Sequence, residues 1–264
     1  MAQWNIPACI SYDLVNATAW VRIMRPRVLN ALNDEAFAGL VMALEQAFGD
    51  SDVRSIILVG EGGRAFSTGG DLKEMAATDA DGAEASERLA CDLFDALREC
   101  TKPVIAAVDG YCVGGGFEIA LLCDMILATD QSRFALPEVR RSLMPDPGLL
   151  ELPRLMPPGE LMSLLLTGRF MTAARGHELG FIQQLFPNRD ALLDGVQQIG
   201  DEIALGAPMA VMAYRQLIRY GRSMPIDGAR RLRDVWWDRI KNSEDRLEGP
   251  RAFAEKRSPV WKGR

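Results

Sequence analysis

The sequence predicts an α/β fold, and three observations predict it. Strand and helix signals alternate through the first two thirds of the chain in the manner of successive βα units with mainly parallel pairing. Beyond about residue 195 strand signals vanish and alanine, methionine and arginine dominate, so two or three amphipathic helices are expected there. The 264 residues, 48% of them hydrophobic, suffice for one large buried core. The expected division is a catalytic core over residues 1–195 and a helical segment over residues 196–264.

Taken in order, residues 10–24 alternate loosely through Val15, Ala19, Val21 and Ile23, which predicts a hairpin of early strands. Asn33 stands where an N-cap is needed for a helix over about 34–48, since Phe37, Leu40, Val41, Leu44 and Phe48 recur at helical spacing. The β-branched run SIILV, closed by glycines, predicts a buried strand emptying into a loop. A helix over about 84–100 leads through TKP into the strand PVIAAV, which ends at Asp109 and Gly110. GFEIALLCD is helical in period and MILATD returns to strand. In the helical tail, Trp236, Trp237, Met209 and Met212 are expected to pack against a core or a subunit rather than to form a ligand box.

Composition narrows the function. A formal charge of −6 and a pI near 5.0 repel phosphate backbones, so no nucleic-acid partner is expected. The cluster Arg230, Arg231, Arg233 reads as a solvated helix face. No run of about 18 apolar residues occurs, and the start MAQWNIPACISYDLV lacks the basic flank and apolar stretch of a signal peptide, so no membrane association and a cytoplasmic location are expected. Five cysteines without a C-x-x-C pair read as reduced thiols. The only histidine, His177, sits at a polar helix start far from the glycine loops, which argues against a Ser-His-Asp or Cys-His hydrolase.

Two glycine-rich loops each join a strand to a helix. In GEGGRAFSTGGDLKEM, residues 60–75, the first turn of the following helix leaves amides free near Gly70. In GYCVGGGFEIALL, Gly114, Gly115 and Gly116 precede the next helix and let a ligand approach the backbone closely. Neither loop carries a P-loop or a complete dinucleotide fingerprint. Glu118 follows the second loop in surroundings that read as buried, and Glu138 lies where FALPEVRR leaves the core. Two carboxylates beside one water can divide acid and base roles when burial and mutual repulsion keep one protonated.

Four segments, AFSTGGDLKEM, GYCVGGGFEIALLCDMILA, SRFALPEVRRSL and the terminal AFAEKRSPVWKGR, resemble the crotonase, or enoyl-CoA hydratase, family in order and spacing over nearly the whole chain. The resemblance implies a ββα spiral core with a helical C-terminal trimerisation segment, a homotrimer or a hexamer built as a dimer of trimers, and an acyl-CoA thioester substrate. It implies no cofactor beyond the coenzyme A of the substrate, and no metal. Gly70 and Gly115 match the two amides of the oxyanion hole, and Glu118 and Glu138 match the catalytic glutamates of hydratases. Arg27 and Lys256 match cations near the coenzyme A phosphates, Lys256 reaching a neighbouring subunit, while Thr68 and Leu72 flank the adenine and pantetheine path and Asp71 stabilises its helix terminus.

The implied reaction is reversible hydration of a 2-enoyl-CoA. A Δ3,Δ2-enoyl-CoA isomerase or related lyase is the alternative among enzymes, and a non-catalytic acyl-CoA binder or assembly protein the alternative of another class. One departure stands out. Where hydratases continue with P-x-x-G-G-[TS]-x-R-L, this chain has PDPGLLELPR, residues 145–154, and the position matching a water-contacting amide falls near Asp146. The extra prolines and leucines reshape the pocket wall and leave the acyl group open. PEVRRSL and RLMPP are similar to carnitinyl-CoA dehydratase-like members of the family.

Overall fold

A computed structural model describes residues 5–264. The expected hairpin forms from β1 (Ile10–Val15) and β2 (Thr18–Ile23), paired antiparallel. Helix α1 (Asp34–Gly49) is capped by Asn33, whose side chain accepts from the Ala36 N–H at 3.1 Å. Strand β3 (Ser55–Gly60) follows, buried at every position, then β4 (Ala65–Ser67), α2 (Leu72–Ala77) and α3 (Ala80–Glu99). Helix α3 begins earlier than its apolar pattern suggests, because Asp79 caps it through the Gly82 N–H at 2.9 Å. Next come β5 (Val104–Val108), β6 (Tyr111–Val113), α4 (Gly115–Leu122), β7 (Met125–Thr129) and β8 (Arg133–Ala135).

The repeating unit is therefore strand, strand, helix. From β3 onward the first strand of each unit joins a six-stranded sheet of order β1-β2-β3-β5-β7-β10, to which the hairpin gives both its strands, and the second joins a four-stranded sheet that begins β4-β6-β8. Pairings β3–β5, β5–β7, β4–β6 and β6–β8 are all parallel, so the chain advances as a right-twisting spiral of ββα turns. This is the expected fold class. The short second strands escaped sequence reading because three residues carry no period.

After β8 the chain runs through a 3-10 turn (Glu138–Arg141), then α5 (Asp146–Glu151), α6 (Pro158–Thr167), β9 (Met171–Thr172), α7 (Ala173–Leu179) and β10 (Gln184–Phe186). The tail is helical: α8 (Arg189–Ala204), α9 (Pro208–Gly221), α10 (Ile226–Lys241) and α11 (Asp245–Glu255). The division expected at residue 195 falls inside α8, whose Leu192 and Val196 both pack on the main sheet beside Trp20, Ile57 and Leu127. A continuous helix seated on the sheet belongs to the core along its whole length.

Both faces of the main sheet are covered, which explains its apolar strands. On β3, Ile56 and Leu58 join the core shared with α1, α3 and α4, while Ile57 and Val59 meet α8. The tail is fastened by α9. Arg215, its side chain 4% exposed, donates from Nε to Asp124 at 2.7 Å and from Nη2 to the Leu97 carbonyl at 2.9 Å. Trp236 is buried as expected, whereas Trp237 is 53% exposed and finds no core within this chain. Among the described residues, all five cysteines are free, Cys100 and Cys112 buried and Cys91 exposed, and no helix is long and apolar enough to cross a membrane.

Candidate active site

The two glycine loops meet because β4 and β6 are neighbours. The residues after β4 form a one-residue parallel bridge between Leu32 and Gly70: Leu32 donates to the Gly69 carbonyl and Asp71 donates to the Leu32 carbonyl, each at 2.8 Å. Peptide groups alternate in direction along an extended chain, so the Gly70 N–H points away from Leu32, and a Cβ on Gly115 would lie 3.9 Å from the Gly70 nitrogen. Gly115 is the first residue of α4 and its N–H has no acceptor within the helix. Neither amide donates a hydrogen bond within the described protein. The loops touch so closely that a Cβ on Gly69, at φ +80°, would sit 2.8 Å from the Gly115 nitrogen.

That approach is braced from outside the loops. Asn30, fully buried and itself at φ +55°, donates from Nδ2 to the carbonyls of Glu61 (3.0 Å) and Ala65 (2.7 Å). Ser67 donates to the Asn30 carbonyl at 2.8 Å and accepts from the Gly69 N–H at 3.1 Å. Sequence reasoning passed over Asn30, although it stands only three residues after Arg27. Asp71 caps α2 as expected, accepting from the Lys73 N–H, and pairs with Arg25 at 3.2 Å.

Glu118 is 6% exposed in an α4 whose residues from Gly116 to Leu122 are all buried. Burial pushes its carboxyl up to about 7; the Gly148 N–H, donating to Oε1 at 3.0 Å, restrains the rise and the charge of Glu138 adds to it. Glu138 opens the 3-10 turn after β8, and burial likewise raises its pKa, against the pull of Arg141. Its Oε1 lies beside the glycine loop, since a Cβ on Gly114 would come within 2.8 Å of it. Its Oε2 is buried without a hydrogen-bond partner. Glu138 thus stands beside the peptide that precedes the free Gly115 amide, and Glu118, on the same helix as that amide, is close enough for the charge of Glu138 to raise its pKa.

The altered 145–154 segment is part of this arrangement. Pro145 and Pro147 carry no N–H, so Gly148 supplies the amide that the first turn of α5 offers to Glu118. A side chain at 148 would strike Leu136 Cδ1 at 2.7 Å, which explains the glycine. Asp146, near which the matching amide is expected, is exposed, and its side chain faces Arg98 at 3.7 Å. Gly148 was the residue that sequence matching missed, being displaced from the family pattern by the shortened segment.

Of the remaining candidates, Thr68 lies beside the loop, donating to the Leu29 carbonyl at 3.3 Å, Leu72 is 45% exposed at the start of α2, and Arg27 is exposed in the 3-10 turn Pro26–Val28. Lys256 is exposed at the left-handed C-cap of α11. His177 is exposed, its Nδ1 2.9 Å from the Ile182 carbonyl, as expected for a surface residue. Among the described residues no three His, Cys, Asp or Glu side chains gather as metal ligands.

An unengaged amide at the N-terminus of α4, a second one at Gly70 nearby, and two carboxyls raised above their usual range are thus gathered in one part of the molecule. The enoyl-CoA hydratase/isomerase family profile matches residues 14–264, and the chain belongs to that family as an enoyl-CoA hydratase-like enzyme. It is 40% identical over 223 residues to a carnitinyl-CoA dehydratase of Citrobacter koseri, spanning 81% of this chain and 84% of that relative. The crystal structure of an enoyl-CoA hydratase from Bacillus anthracis superposes with a TM-score of 0.93 at 29% identity, covering 97% of this chain and all of that one. An enoyl-CoA hydratase from Mycobacterium tuberculosis H37Rv superposes at 0.88 with 34% identity, covering 98% and 100%.

Proposed function

We propose that this protein catalyses reversible addition of water across the double bond of a 2-enoyl-CoA thioester. The observation that carries the reading is the close approach of two unengaged amides, Gly70 and Gly115, together with the raised carboxyls of buried Glu118 and half-buried Glu138. The amides hold the thioester oxygen and stabilise the enolate as it forms, an effect for which loss of one donor costs about 100- to 1000-fold in rate. Polarised in this way, C3 is open to attack. Glu118 orients a water molecule and takes its proton as the new C3–O bond forms, and Glu138 delivers a proton to C2. Dehydration runs the same steps backwards. No cofactor beyond the coenzyme A of the substrate enters this scheme.

A carboxyl with a pKa of about 7 suits the base, since it is substantially ionised at neutral pH yet basic enough to accept a proton. Arg27 and, from a neighbouring subunit, Lys256 bind the coenzyme A phosphates, and Thr68 and Leu72 line its adenine and pantetheine path. Lys256 contributes only in an assembly, a trimer or a dimer of trimers held together by the helical segment over residues 196–264. The protein works in the cytoplasm, in fatty-acid or related acyl-CoA metabolism. The carnitinyl-CoA dehydratase relatives favour carnitinyl-CoA dehydration as a second reading of the acyl group and of the direction.

A panel of 2-enoyl-CoA thioesters of graded size, with a carnitinyl thioester alongside, tests the proposal by loss of the conjugated enoyl-thioester absorbance in labelled water. Incorporation of label at C3 is expected, with turnover abolished in Glu118→Gln and Glu138→Gln while coenzyme A binding persists. Migration of the double bond without label would instead establish an isomerase. Binding without turnover of any thioester would leave a non-catalytic acyl-CoA protein.

A further inference from the structure

A cavity of about 660 Å³ lies between the α4–α5 side of the core and helix α9, and the oxyanion loops take no part in lining it. Its size is that of a small-molecule site. Its walls are apolar where Leu121, Met125, Leu150, Val211 and Ile218 meet, but its charge is one-sided. Five arginines line it, Arg98, Arg154, Arg215, Arg219 and Arg222, against three carboxylates.

Each carboxylate is already taken. Asp124 holds Arg215 at 2.7 Å, Glu151 holds Arg222 at 2.5 Å and Asp146 faces Arg98 at 3.7 Å. The two surplus cations are Arg154, whose guanidinium donates to the Leu150 carbonyl, and Arg219, which donates to the Leu122 carbonyl at 3.1 Å. A carbonyl satisfies a guanidinium's hydrogen bonds only in part and its charge not at all. Burial and the nearby charge of Arg215 disfavour the Arg219 cation, and Asp124 and Glu151 offset them only in part. One more donor is unused: Nη1 of Arg215 is buried with no partner. A half-buried guanidinium beside a second, buried one with an unpaired donor gains from an anion that joins them.

We infer that this cavity is a second ligand site, separate from the thioester site, for an amphipathic anion whose carboxylate head pairs with Arg219 and Arg154 and whose short aliphatic tail lies against Leu150, Val211 and Ile218. Head and tail are both required. A bare inorganic anion leaves the apolar wall wet, and a neutral chain leaves the cations unpaired.

The test is calorimetric titration of the full-length protein with octanoate, with octan-1-ol as the tail alone and with inorganic phosphate as the head alone. Octanoate is expected to bind once per chain, at least about tenfold more tightly than either control, and Arg219→Gln to weaken it by at least about tenfold, the usual worth of one charge-assisted hydrogen bond. Arg154→Gln, at an exposed position, supplies the same comparison should Arg219→Gln misfold. Saturating coenzyme A should leave octanoate binding unchanged. Equal binding of octanol, indifference to both substitutions, or displacement by coenzyme A would each overturn the inference.

Discussion

The charge state of Glu118 links its surroundings to behaviour that can be measured. Burial lifts this carboxyl from the usual 4.5 to about 7, so the folded state favours the neutral form. The sign of the stability effect follows: the contribution is fully present below pH 4.5 and is lost as pH rises through 7, a swing on the order of 3 kcal/mol. Glu118→Gln keeps an acceptor for the Gly148 amide but cannot ionise. Its melting temperature relative to the parent should therefore rise more at pH 8 than at pH 4, and thermal unfolding at the two pH values checks it. In the proposed reaction the parent's kcat should fall on the acid side with an apparent pKa near 7, shared with Glu138 because the two sites interact.

At the scale of elements, α5 is a short helix whose first turn donates a backbone N–H to the buried Glu118 carboxyl. Two prolines remove competing donors and Gly148 supplies the amide, so α5 functions as a clamp on Glu118. Gly148→Ala places a methyl group 2.7 Å from Leu136 Cδ1 and should destabilise the protein by about 1–3 kcal/mol. The same shift should loosen Glu118, so kcat should fall more than KM rises, which steady-state kinetics on the folded variant can read. The α1 element was fully legible beforehand: Asn33 caps it, and Phe37, Leu40 and Leu44 are buried where their spacing put them. The clamp was not, because its meaning depends on Glu118, thirty residues away, being desolvated at the right point.

At the scale of the molecule, the helical tail depends on one buried ion pair with the core. Removing the cation by Arg215→Ala leaves Asp124 with only the Val104 amide, donated at 2.8 Å, and opens the contact of α9 with the Leu97 carbonyl. Breaking such a pair costs about 3–5 kcal/mol, and limited proteolysis should begin in the α8–α9 connection, around Leu205–Ala207, well before the core is attacked. Lys256→Ala should raise KM for the thioester several-fold with little change in kcat, and only under conditions where the subunits assemble. Equal effects in an isolated subunit would remove Lys256 from the neighbour's site.

What the amino-acid order decided by itself was local. Apolar spacing set the strand–helix alternation, Asn33 and Asp71 set helix starts, and runs of glycine marked where the backbone had to come close to something. Four separated segments in order carried the family. Tertiary structure decided the rest, because the direction of an amide and the ionisation of a carboxyl depend on distant neighbours. The bridge to Leu32 leaves the Gly70 N–H unengaged, the packing of α4 raises Glu118, and Gly148 holds it; none of these follows from spacing along the chain. The surplus charge beneath α9 became visible only once α5 and α9 had been brought to face each other across the groove.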